Sequence, residues 1–115
     1  MLSFNIDTNL MNALNTHNNT NSSTRFSTLD GALLCLIKNS SDNFYFSNKF
    51  LASLFIADPG TIQRSIDKLV AAQFIAKDKE YINSRPRRHL YCNHSVVNQF
   101  VSDMKLLQEE CDWDG

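Results

Sequence analysis

Residues 47–75 read SNKFLASLFIADPGTIQRSIDKLVAAQFI and divide into two short helices joined by a tight turn. Ser47 is a fitting N-cap, and Phe50, Leu51 and Leu54 follow it at helical spacing. Asp58 caps the second helix, with Pro59 at its first position, where a missing N–H costs nothing. Ile62, Ile66, Leu69 and Val70 then share one face, at i, i+4, i+7 and i+8. The opposite face carries Thr61, Arg64, Asp67 and Lys68, with Gln63 at its edge. A short helix, a turn and a second helix with a polar face is a geometry that presents side chains to the DNA major groove.

The rest of the chain supplies a frame for that pair. With 115 residues it is long enough for one domain and too short for two comfortable ones. Apolar residues make up 43%, enough for a packed core, so wholesale disorder is excluded. The longest apolar run, Ala32–Ile37, is far below the ~18–20 residues that span a bilayer. The first residues, MLSFNIDTNLMNALN, lack the basic and apolar regions of a secretory signal, so a cytoplasmic location is expected. Cys35, Cys92 and Cys111 form no CxxC, which suits a reducing compartment without structural disulfides.

Composition separates residues 1–26 from the remainder of the chain, since seven Asn fall within the first 21 positions. Phe4, Ile6, Leu10, Met11 and Leu14 can form a short amphipathic helix, either docked or unstructured, and Thr16–Thr24 reads as a flexible linker. Ser27 or Thr28 caps a helix running to about Lys38, and residues 39–43 are turn chemistry. Phe44–Phe46 is a brief β-prone run. Phe74–Lys77, Tyr81–Ile82 and His89–Cys92 form a hairpin with its tip at Asn83–Pro86. The last helix covers about Ser95–Glu110, with Val97, Phe100, Val101, Met104 and Leu107 on one stripe, ending in the acidic tail EECDWDG.

That order resembles the winged helix–turn–helix superfamily of DNA-binding domains, in particular small bacterial, phage and plasmid regulators and replication-initiator domains. The resemblance covers residues 27–92 and rests on FSTLDGALLCLIKN, FSNKFLASLFI and DPGTIQRSIDKLVAAQFI. It implies a mainly α fold with a small β-hairpin wing, a flexible N-terminal arm (1–26) and a C-terminal helix (93–115). Such families often place Gly in the inter-helix turn and after the recognition helix, where this chain has Phe55 and Gln73. A different turn, or a strained Phe55, is expected there.

The resemblance also implies roles. Thr61, Gln63, Arg64 and Lys68 would face bases, and Arg64 suits guanine because its guanidinium can bond O6 and N7 together. The alternative for Arg64 is an i,i+3 pair with Asp67. Ser47, Asn48, Lys49 and Gly60 would position phosphates at helix starts, while Arg85, Arg87 and Arg88 arm the wing. Net charge is only −1, but eight basic residues against four acidic ones lie between Lys49 and Arg88. His89, Cys92, His94 and Cys111 lack metal-ligand spacing, so no metal or cofactor is expected. The only internal glycines, Gly31 and Gly60, provide no phosphate-binding loop or nucleophile elbow, and no enzyme activity is expected.

The expected function is sequence-specific binding of double-stranded DNA, as a transcriptional regulator of a phage, plasmid or bacterial operon. A homodimer through the C-terminal helix would set two reading helices about one DNA turn apart; the alternative is that this helix packs on its own chain. Partition or replication initiation for a mobile element, and a winged-helix module that binds protein rather than DNA, are the other readings.

Overall fold

A computed structural model describes residues 7–20, 24–40 and 44–111. Five helices, α1 (Thr8–Thr20), α2 (Thr28–Lys38), α3 (Asn48–Phe55), α4 (Pro59–Ala71) and α5 (His94–Cys111), accompany a hairpin of β1 (Ile75–Ile82) and β2 (Arg85–Cys92). The expected mainly α architecture with a β-hairpin wing is observed. Helix α2 lies at its centre, with Gly31 and every residue from Leu33 to Ile37 buried. Around it pack Ile62, Ile66 and Leu69 of α4, Leu51 of α3, and Ile75 and Leu90 of the hairpin, all at most 1% exposed. Fully burying side chains of this size contributes about 1.5–3 kcal/mol each. None of the described helices is long and apolar enough to cross a membrane.

Caps fix the helix starts. Ser27 Oγ accepts the Asp30 N–H at 3.2 Å, and Asp30 Oδ2 accepts the Ser27 N–H at 2.8 Å, a reciprocal box that settles the choice between Ser27 and Thr28. Ser47 Oγ accepts the Phe50 N–H, and Asp58 accepts the Gly60 N–H behind Pro59.

The turn after α3 does differ from the glycine pattern, but the left-handed residue is Ile56 (φ 52°, ψ 53°) rather than Phe55. A β-branched side chain there clashes with its own backbone, at about 1–2 kcal/mol. Ile56 is 95% exposed, so little packing offsets that cost. Ile56→Gly is therefore expected to stabilise the fold by about 1 kcal/mol, read as a higher urea midpoint; an unchanged or lower midpoint would contradict the strain. Gln73, with φ 66°, takes the other left-handed position.

The wing is tighter and longer than its sequence suggests. Asn83 and Ser84, with φ 53° and 65°, make a two-residue turn between continuous eight-residue strands. Pro86, expected within the tip, instead pairs with Tyr81 inside β2; in a two-stranded sheet one side of each strand makes no ladder bonds, so its missing N–H is tolerated. Phe44 adds a single bridge to Leu90, whose N–H reaches the Phe44 carbonyl at 3.0 Å.

Residues 16–20 do not form the expected linker. They are the last turns of α1, although the segment carries no apolar period. Tertiary bonds replace the missing hydrophobic signal. Asn18 Nδ2 donates to the Phe26 carbonyl (2.6 Å), and Asn18 Oδ1 accepts the Phe26 N–H (2.8 Å). His17 packs against Phe26 and Phe100. Leu10, Ala13 and Leu14 are buried, and a Cβ on Gly31 would lie 2.6 Å from Met11 Sδ, so any larger residue there would push the Met11 side chain aside. Lys38 ties down the start of α1 through a 2.5 Å bond to Asp7, and this bond holds the Asp7 carboxyl below its usual range. Phe4 and Ile6 lie outside the described residues.

Helix α5 spans the expected range, extended by a residue at each end. Its stripe is used within the chain: α5 packs mainly on α1, Val97 is 1% exposed, and Phe100 contacts Phe74 and His17. A dimer seam therefore does not follow from the stripe. The acidic residues after Cys111, and Trp113, lie outside the described residues.

Candidate nucleic-acid interface

The polar face of α4 separates into two groups of side chains. Arg64 is exposed, and its Nη2 donates to Thr61 Oγ1 at 3.0 Å, which orients the guanidinium without neutralising it. The alternative pairing with Asp67 is not formed; Asp67 Oδ1 instead accepts Gln63 Nε2 at 2.8 Å. Arg64 and Thr61 thus form an outward-facing bonded pair on α4.

Gln63 does not. Its Oε1 accepts Asn48 Nδ2 at 2.6 Å, so both ends of its amide are engaged within the chain. Asn48 Oδ1 in turn accepts Arg88 Nη1 at 2.6 Å, and Arg88 Nη2 donates to the Phe46 carbonyl at 2.9 Å. Arg88, Asn48, Gln63 and Asp67 form one relay from the wing through the start of α3 to α4. Base contact by Gln63, and phosphate contact by Asn48 and Arg88, would each require these internal bonds to break. Burial lowers the Arg88 pKa, and its Nε is buried without a hydrogen-bond partner among the described residues. The guanidinium still stays charged at neutral pH, its ordinary pKa being so high.

Lys68 also bonds within the chain. Its Nζ lies 2.7 Å from Asp30 Oδ2 and 3.0 Å from the Arg25 carbonyl. The Asp30 side chain is 3% exposed and also accepts the Ser65 hydroxyl. One carboxylate thus closes the α2 cap and fastens α4 to α2. The S-x-x-D spacing of Ser27 and Asp30 signals the cap in sequence, whereas nothing local signals Lys68 as its counter-ion.

At the helix starts, the Gly60 N–H is already taken by Asp58 Oδ2 at 3.1 Å. A carboxylate on the positive helix end repels an incoming phosphate, so Gly60 is a poor phosphate site. Ser47, Lys49, Arg85 and Arg87 are exposed, with Arg85 and Arg87 on one face of the hairpin. Cys35 and Cys92 are buried, and burial pushes the Cys35 thiol up, away from thiolate reactivity. His94 is exposed at the start of α5, and His89 lies 3.0 Å from Asp78.

Three core helices, a helix pair with an exposed polar face, and an antiparallel hairpin beside it define a winged-helix-like fold. The chain resembles a "possible transcriptional regulator" from Methanosarcina mazei Go1 at 16% identity, covering 94% of this chain and 88% of that one, with a TM-score of 0.55. It also resembles Rv1404 from Mycobacterium tuberculosis at 15% identity, covering 91% and 69%, with a TM-score of 0.53. At such identities the likeness is one of fold. No protein-family model matches the chain, nor does any curated protein sequence.

Proposed function

We propose that the chain is a sequence-specific reader of double-stranded DNA that regulates transcription in the cytoplasm. The observation that carries this reading is the exposed Arg64 on α4, oriented by Thr61, on a helix that the Arg88–Asn48–Gln63 relay ties to a wing bearing exposed Arg85 and Arg87. Arg64 and Thr61 specify bases, while Lys49, Arg85, Arg87 and Ser47 hold the backbone. The regulator-like name of the Methanosarcina neighbour supports the same reading.

Fluorescence anisotropy across a salt series tests it, with DNA from upstream of its own coding region and unrelated DNA as control. Phosphate contacts release counterions, so log K should fall linearly with log salt, by about 0.9 per phosphate neutralised. Arg87→Ala is expected to weaken binding to all sequences alike and to reduce that slope by about 1. A slope unchanged by Arg87→Ala would remove the wing from the interface.

One observation favours a second reading, a docking module for another protein. Phe50 (41%), Leu54 (45%) and Ile56 (95%) expose large apolar side chains along α3 and its turn. Absence of DNA binding even at low salt would select this reading.

A further inference from the structure

Beside Arg87, one face of the wing carries side chains that the DNA-reading role leaves unused. Strand register places Asp78 opposite His89 and Glu80 opposite Arg87, which puts all four on the same face. His89 Nδ1 lies 3.0 Å from Asp78 Oδ1 and 3.5 Å from Glu80 Oε1, and the three donor atoms all fall within 4.8 Å of one another. We propose that Asp78, Glu80 and His89 form a binding site for a divalent transition-metal ion of the zinc type.

Donor spacing is the first ground. A tetrahedral ion with bonds of about 2.0–2.2 Å holds its ligands about 3.3–3.5 Å apart, so the two spacings from His89 need only small adjustment. Donor chemistry is the second: one imidazole and two carboxylates suit zinc and its neighbours better than magnesium or calcium, which prefer all-oxygen shells. Pre-organisation is the third. The His89 side chain is only 9% exposed, and its ring stacks on Tyr45 and Tyr91, with centroids 4.9 and 5.2 Å away. The Tyr45 hydroxyl donates to Glu80 Oε2 at 2.7 Å, leaving Oε1 turned toward His89. This is the outer-shell support that orients metal ligands. Asp78 and Glu80 are about half exposed, so an ion can enter from solvent, and water can complete its shell.

Occupancy bears on the wing. Two carboxylates on the face that carries Arg85 and Arg87 oppose any polyanion, and a bound dication cancels them. Arg87 opposes the ion by like charge, which limits affinity.

The test is a calorimetric titration of the full, EDTA-treated and dialysed chain with zinc chloride, with magnesium chloride as control. One equivalent of zinc should bind and magnesium should not. The double variant D78N/E80Q, checked for folding by circular dichroism, should lose at least about ten-fold in affinity, and Tyr45→Phe should lose about ten-fold. Cobalt in place of zinc should show no thiolate charge-transfer band. Equal zinc binding by D78N/E80Q, a thiolate band, or no zinc binding at all would each overturn the site. These titrations contain no DNA, so their outcome is independent of the DNA-reading role.

Discussion

Asp30→Ala is expected to cost about 2–3 kcal/mol of folding stability, chiefly from two lost interactions. Losing the half of the capping box in which Asp30 Oδ2 accepts the Ser27 N–H costs about 1 kcal/mol. A buried Ser65 hydroxyl left without its acceptor costs about 1–2 kcal/mol more. The loss at Lys68 is discounted, because a side chain 34% exposed can turn its ammonium to water. Since domains are stable by only about 5–15 kcal/mol, this single truncation threatens the fold. Urea denaturation beside the exposed control Lys49→Ala, which should stay within about 0.5 kcal/mol of wild type, measures it. A loss below about 1 kcal/mol for Asp30→Ala would show that the contacts around this carboxylate contribute little.

The second large effect concerns specificity. Arg64→Ala should lower affinity for the preferred DNA by about 1–3 kcal/mol, roughly five- to 150-fold, and leave affinity for unrelated DNA nearly unchanged. The residue is exposed and its bond to Thr61 lies on the surface, so stability should hardly move. Gln63→Ala provides the contrast: it cuts the relay between wing and helix and should weaken all sequences together. Equal losses on preferred and unrelated DNA for Arg64→Ala would remove its base-reading role.

The fold was legible in the sequence wherever its causes are local. Ser47, Asp58 and Pro59 act within three residues of where they stand, and the Ile62–Ile66–Leu69 stripe repeats within a few turns. Site roles were less legible because polar side chains choose partners far along the chain. Gln63 meets Asn48 15 residues away, Lys68 meets Asp30 at 38, and Arg88 meets Asn48 at 40. An exposed base reader and a half-buried bracket have the same letters. The close of α1 shows the same limit, since Asn18 gains its helical setting from Phe26, eight residues on, and not from periodicity. Arg64 bonds Thr61, one turn away on the same helix, where the sequence offered Asp67 as its partner.

The relay from Arg88 through Asn48 to Gln63 and Asp67 also divides the surface into chassis and cargo. Thr61 and Arg64 stand outside it, so their identities can be exchanged while the wing and α4 keep their mutual setting. Retargeting such a reader would be a two-position problem, with 48, 63 and 88 left untouched.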